Sequence, residues 1–407
     1  MTVRRGIGWL IAIGVALVVA LWSYAIANDK RAPSRALAIA VPTPGTAQAS
    51  LAYDVFAARS ARDPKARANA AEVQLARAAY RSEPLSVPAL GILAVSMTSG
   101  EQARQRQALL DLAGKISRRN MLVNNEQIKA AALRGDDRAF FTWLSRVMLI
   151  GNQAKAAYGA AMAQATARSG AVEALTPIIG SRPSWAEYYW RLVVRQPASL
   201  ANAAQLRLAV ARAPWSQLDV TLTDKQLLLA LGRNGHLDAA YRLAVGLGLS
   251  RSAASNLLNN GDFGAVPELA PFDWQLSSQG NLGASIDPRE KNLLISAIGG
   301  ARGAAAQQLL QLAPGRYSLG WKIAADAMVK PGELVARVAC AERGREDGDL
   351  PPVPLKPGDA KAIITVPDSG CKWYWFAIAV AIPDDALGID VNLEQMSLAP
   401  LTSAPAG

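Results

Sequence analysis

At 407 residues the chain is long enough to bury more than one core, and its 10 Trp, 9 Tyr and 6 Phe exclude a wholly disordered polymer. Forty-three Lys and Arg stand against 32 Asp and Glu, a net charge of +11. The single His excludes any centre built from several imidazoles.

Residues 1–5 carry Arg4 and Arg5 and read as a short cytoplasmic head. Residues 6–27 contain no charge and are dense in Leu, Ile, Val and Ala. A span of that length matches the roughly 20 residues needed to cross a hydrocarbon core, so the segment predicts a transmembrane signal anchor. Ala25-Ile26-Ala27 also has the small-x-small form of a cleavage site, which leaves a cleaved signal peptide as the alternative. Either reading exports the bulk of the chain; the anchored one makes it a single-pass inner-membrane protein with its bulk in the periplasm. Residues 28–47, with Pro33, Pro42 and Pro44 among small residues, predict an extended linker.

From 48 to 258 the chain turns to Ala-rich segments broken by Gly, Pro or short polar pairs. Residues 66–80, 102–117, 137–149, 185–194, 223–231 and 237–245 carry apolar positions three and four apart, as in Leu227, Leu228 and Leu231. This predicts an all-α domain of helical hairpins with short turns. The hairpin running from Asp224 through Gly235 and Ala240 to Ala244 resembles the tetratricopeptide repeat, and Pro84–Leu90 followed by Gly100 resembles a degraded copy. No 34-residue period runs through the region. The resemblance implies a stack that buries one face of each hairpin against the next and leaves an extended docking surface. A compact irregular bundle is the alternative.

Beyond Leu258 the pattern changes to alternation. Tyr317, Leu319, Trp321 and Ile323 share one side of a strand; Leu334, Ala336 and Val338 share another; Ile389, Val391 and Leu393 alternate with Asp390, Asn392 and Glu394. Residues 259–398 therefore predict an antiparallel β-sandwich, followed by a flexible tail at 399–407. The features Asn260-Gly-Asp-Phe263, Phe272-Asp-Trp274, Pro314–Leu319 and Ile389–Leu393 resemble the jelly-roll domains of carbohydrate-binding modules and galactose-binding-like proteins. That resemblance implies glycan recognition. The Pro-, Gly- and charge-rich stretch 342–361 departs from a compact strand connection and is placed to cover the expected surface. The whole organisation resembles envelope proteins of alphaproteobacteria.

Cys340 closes one expected strand and Cys371 opens the next, which predicts a disulfide in an oxidising compartment; two buried thiols are the alternative. Reactive chemistry is sparse. His236 sits in a helix–helix turn, the Asp136-Asp137 pair starts a helix where one carboxylate caps it, and Asp384-Asp385 lies in a turn. Neither a nucleophile elbow nor a phosphate-binding loop is present, so no catalytic residue, metal or cofactor is expected.

Residues 48–256 carry 26 basic and 14 acidic side chains, whereas 257–407 carry 12 and 17, so the basicity belongs to the helical region. Such a surface attracts acidic polysaccharide, anionic lipid or an acidic protein. Export and the lack of a recognised motif argue against nucleic acid. Arg118-Arg119 reads as a solvated helix terminus.

In Cys371–Val380, Tyr374, Phe376, Ile378 and Val380 supply the inward series, leaving Trp373 and Trp375 on the opposite side. These two indoles, with Trp274, are the candidate glycan- or protein-recognition residues; burial under a neighbouring domain is the alternative for the pair, and packing near the start of the sandwich the alternative for Trp274. The expected function is a non-enzymatic, membrane-anchored interaction subunit of the envelope, linked to surface or exopolysaccharide assembly. An accessory structural subunit of an integral membrane complex is the alternative.

Overall fold

The computed structural model describes residues 2–39, 45–63, 65–97, 102–249, 256–325, 327–342 and 348–401, with side chains from residue 8 onward. Fourteen α-helices precede two antiparallel sheets among the described residues. In chain order the helices are α1 (Thr2–Asn28), α2 (Pro33–Leu37), α3 (Gly45–Ser60), α4 (Ala70–Ser82), α5 (Val87–Ser96), α6 (Ala103–Ile116) and α7 (Met121–Arg134). They continue as α8 (Asp137–Met148), α9 (Asn152–Ala165), α10 (Ala171–Gly180), α11 (Ala186–Val193), α12 (Leu200–Ala211), α13 (Leu222–Arg233) and α14 (Leu237–Gly246).

Two compact units divide the chain, Met1–Met162 and Ala163–Gly407. The division does not follow the helix-to-strand change at about residue 258: helices α10 to α14 belong to the same unit as the sandwich.

In the first unit, Gly8–Asn28 of α1 is 21 residues long with a mean hydropathy of 2.4, enough in length and composition to cross a membrane. The expected linker is not wholly extended, because Pro33 opens α2, a position where its missing N–H costs nothing, and Pro33 and Ala36 are buried. Pro42 and Pro44 lie outside the described residues. Helix α4 starts at Ala70 rather than at 66, because Asn69 and Glu72 close a capping box there. Asp136 caps α8 by accepting from the Ala139 N–H at 2.9 Å. Ala49, Ala52, Phe56, Ala76, Ala79, Ala89 and Ile92 form one core; these small side chains let α3, α4 and α5 approach closely. Gly100, part of the degraded hairpin copy, lies outside the described residues.

In the second unit, Thr221 and Asp224 form a capping box at the start of α13, and Asp224 also holds Arg207 of α12 through a two-pronged ion pair. Arg207 and Asp224 are 5% and 3% exposed, and the guanidinium gives its remaining hydrogen bonds to the Gln217 and Asp219 carbonyls. Helix α13 ends at Asn234-Gly235, with Gly235 at φ +78°, and His236 stands at the N-cap position of α14 without a side-chain capping bond.

The five-stranded sheet runs in the order β1 (Gln275–Leu276), β5 (Arg302–Gln311), β10 (Trp373–Ala381), β7 (Leu334–Cys340), β8 (Val353–Pro354). The six-stranded sheet runs β2 (Ser278–Gln279), β3 (Leu282–Asp287), β4 (Asn292–Ile298), β11 (Gly388–Pro400), β6 (Gly315–Ile323), β9 (Gly358–Val366). Tyr317, Leu319, Trp321, Ile323, Leu334, Ala336, Val338, Ile389, Val391 and Leu393 all join the shared core, as their alternation predicts. Residues 348–361 of the expected insertion supply β8 and the first part of β9, and 399–400 of the expected tail end β11.

Cys340 and Cys371 are disulfide-bonded, with Cα atoms 6.2 Å apart. Cys371 precedes β10 rather than opening it, and Tyr374 is the residue opposite Cys340, so the bond ties the ends of adjacent strands without a bulge at that point. The irregularity in β10 pairing lies farther along, between Ile378 and Ala379.

Candidate functional site

A sandwich has two outward faces, and here they differ in chemistry. On the five-stranded sheet the outward positions Val335, Leu309, Trp373, Ala377 and Ala379 are buried although they lie outside the shared core. Helix α14 covers the Trp373 end. The Trp373 ring lies 5.4 Å from Tyr241 of α14 and 5.8 Å from Phe272, and Tyr241 and Phe272 are 5.5 Å apart. The Trp373 indole N–H and the Lys372 ammonium both reach Oδ1 of Asp238 on α14, at 3.0 and 2.8 Å. The hydrogen bond from Lys372, together with that from Trp373, holds the Asp238 carboxyl below the usual carboxylate range.

Burial removes Trp373 and Trp274 as recognition residues, whereas Trp375 keeps its expected side. Trp373 is 3% exposed, so its faces are taken by protein. Trp274 is 1% exposed and lies in the shared core, ringed by Phe263 and Phe376, with its N–H given to the Asn260 carbonyl at 3.0 Å. Trp375 does share the outward side with Trp373 and is half-buried, facing Leu309 on one neighbour and Ala339 on the other. The Asn260–Phe263 feature is structural: Phe263 donates its N–H to the Asn260 carbonyl, and the Met396 N–H reaches the Gly261 carbonyl at 2.7 Å.

The outward face of the six-stranded sheet is open. Alternation along β4 sends Leu293, Ile295 and Ala297 inward and leaves Leu294, Ser296 and Ile298 out; β11 sends Ile389, Val391 and Leu393 inward and leaves Asp390 and Asn392 out. Register brings these outward residues into rows. Ser278, Gly283, Ser296 and Asp390 stand side by side across β2, β3, β4 and β11, and Ser285, Leu294 and Asn392 form the next row.

Over these rows lies a groove of about 580 Å³, with Ser277 and Ser278 on its rim. Its floor crosses β3, β4 and β11, roughly 10 Å at the usual interstrand spacing. Gly283 keeps the floor low, since a Cβ there would have no heavy atom within 4 Å. At the mouth of β11, Gly388 takes φ +115°, and a Cβ would stand 2.2 Å from the Ala297 carbonyl oxygen, so only glycine lets β11 start tight against β4.

Chemically the groove offers hydroxyls from Ser285 and Ser296, an amide from Asn392, a carboxylate from Asp390 and one exposed apolar patch at Leu294. None of the groove-lining residues is aromatic. The set can both donate to and accept from closely spaced hydroxyl groups, and the volume lies in the range of small-ligand sites. Among the described residues, no three His, Cys, Asp or Glu side chains converge as metal ligands. Asp384 and Asp385 occupy an exposed turn, and Arg118 and Arg119 lie exposed just past the end of α6.

The β11 half of this site was legible as the outward set Asp390, Asn392 and Glu394. The β3 and β4 half was missed, because Leu293-Leu294-Ile295 is a continuous apolar run and hides the alternation.

No family model matches the chain, and no curated protein matches it. Among solved structures, one described as CBM4 is 16% identical and has a TM-score of 0.28, covering 35% of this chain and 99% of its own. TmCBM61 in complex with beta-1,4-galactotriose is 13% identical with a TM-score of 0.25, covering 36% of this chain and 99% of its own. An arabinose-bound α-L-arabinofuranosidase, MgGH51, is 17% identical with a TM-score of 0.28; the match covers 39% of this chain but only 28% of that enzyme. The chemistry assigned to the groove rests on this chain's own side chains.

Proposed function

We propose that this chain is a non-enzymatic, membrane-anchored envelope subunit whose sandwich recognises a glycan in the groove of the six-stranded sheet. The observation that carries the reading is the row arrangement of Ser285, Ser296, Asp390 and Asn392 over a groove of about 580 Å³ beside an exposed Leu294. Vicinal sugar hydroxyls need paired donors and acceptors at short spacing, and a strand face displays side chains at such spacing. Recognition proceeds through hydrogen bonds on a strand face rather than through indole stacking.

Helix α1 supplies the anchor, with the N-terminus cytoplasmic, the bulk periplasmic and the helical hairpins serving as the docking surface for envelope or integral membrane proteins. A role in surface or exopolysaccharide assembly follows from an exported, anchored glycan reader. The cleavage alternative is tested by fractionating protein tagged at both ends: one membrane-bound product carrying both tags supports the anchor, and a soluble product beginning at Asn28 overturns it.

A second reading, protein docking without sugar, is favoured by the exposed Ile298 and Ile363 on the same outward face, both 58% exposed. A glycan array probed with the full chain in detergent separates the two. Saturable binding to a glycan, removed by Asp390→Ala/Asn392→Ala, supports the first; its absence across neutral and acidic glycans supports the second.

A further inference from the structure

The positive charge of the helical region has a focus in the first unit that the glycan reading does not use. A cavity of about 300 Å³ opens between the end of α3, the segment before α4, α6 and α7, lined by Lys65, Arg67, Arg106 and Lys129. Among the described residues that line it, Glu126 is the only acidic one, so four cations face one carboxylate. Glu126 is 8% exposed, and it orients two of the four: the Arg106 guanidinium from α6 and the Lys129 ammonium one turn along α7, the latter at 2.9 Å.

The other two cations ride on a pinned segment. Arg59 of α3 donates to the Arg67 carbonyl at 2.5 Å while its guanidinium is held by Glu72 of α4, and the Lys65 N–H reaches Asp63 at 2.9 Å. Among the described residues, neither Lys65 nor Arg67 forms an ion pair. Two guanidinium and two ammonium groups, brought to one concavity from three parts of the unit, form a concentrated positive site that Glu126 alone does not neutralise.

We propose that this cavity binds a phosphate group. A surplus of three positive charges matches a dianion better than a single carboxylate, and arginine forks grip the oxygens of phosphate in pairs. The group comes either from a soluble phosphomonoester or from a lipid headgroup, and both present the same oxygens.

The test is calorimetric titration of the full chain in detergent micelles with inorganic phosphate, and separately with acetate, at constant ionic strength. Saturable phosphate binding, at least tenfold tighter than acetate, is expected. Lys65→Gln/Arg67→Gln, at two exposed positions, weakens it at least tenfold, whereas Arg138→Gln/Arg233→Gln, which removes equal charge elsewhere, leaves it within twofold. Should the first variant melt differently from the parent, Lys129→Gln replaces it with the same expectation. No saturable phosphate binding, equal affinity for acetate, or equal loss in the Arg138/Arg233 variant overturns the site. In lipid nanodiscs, competition by phosphatidate but not phosphatidylcholine assigns the headgroup as the source, and retained phosphate affinity in both assigns a soluble phosphomonoester.

Discussion

The indole N–H of Trp373 donates to Oδ1 of Asp238 at 3.0 Å, which joins the first residue of β10 to the first turn of α14. Lys372 reinforces the same oxygen, and the Tyr241, Phe272 and Trp373 rings close around the joint. Trp373→Ala therefore removes a buried ring and leaves a cavity, destabilising the second unit by about 3–5 kcal/mol. Trp373→Phe keeps a six-membered ring in the joint but gives up the hydrogen bond and part of the buried indole, costing less, about 1–3 kcal/mol. Urea unfolding followed by circular dichroism measures both, and equal effects would contradict the packing role.

The same joint sets a pH dependence. Because Asp238 is held below the usual carboxylate range, chiefly by its hydrogen bond with Lys372, the folded state binds its proton less readily than the unfolded chain. The stability this contributes is present above the ordinary carboxylate pKa and is lost as pH falls through the lower folded value. The indole N–H resonance of Trp373, assigned with Trp373→Phe, should hold its shift at pH 5 and move below about pH 4. Asp238→Asn should remove that low-pH movement.

Arg207 and Asp224 are paired where both are almost fully buried, so removal of one strands the other. Arg207→Ala is expected to cost about 3–5 kcal/mol, whereas Arg207→Met/Asp224→Leu recovers much of that loss because no unpaired charge remains buried. Thermal melts of the two variants check the order; a single variant as stable as the double one contradicts it.

The Cys340–Cys371 bond closes a loop of 31 residues in sequence separation. In the chain-entropy description its removal costs about 3–4 kcal/mol. Cys340→Ser/Cys371→Ser should show that loss in denaturant unfolding, and the parent protein should approach it when reduced. No difference between oxidised and reduced parent would contradict the contribution.

Much of the sandwich was legible wherever apolar and polar residues alternate, as along β6 and β11, since period-two burial on one face is a direct consequence of the pleat. β5 was hidden: Gly303-Ala-Ala-Ala-Gln-Gln-Leu-Leu-Gln311 consists mostly of helix-forming residues and has no polar face, because both of its sides are covered. The same covering explains the indoles. Sequence separates Trp373 and Trp375 from the inward series, but the burial of that outward face depends on α14, about 130 residues earlier. The disulfide was legible because both cysteines flank neighbouring strands, and the groove was half legible because only β11 alternates cleanly.

The proposed function puts the glycan on the open face of the six-stranded sheet and not on the indole face. The most direct measurement is titration of an array-identified glycan into three folded forms of the full chain: parent, Gly283→Trp and Trp373→Phe. A Cβ at Gly283 would meet no heavy atom within 4 Å, so Gly283→Trp can leave the strand without a backbone clash and direct its indole into the groove, and the fold should tolerate it. The parent and Trp373→Phe are expected to bind, and Gly283→Trp to lose at least tenfold in affinity at an unchanged melting temperature. Unchanged affinity in Gly283→Trp, or loss confined to Trp373→Phe, would contradict it.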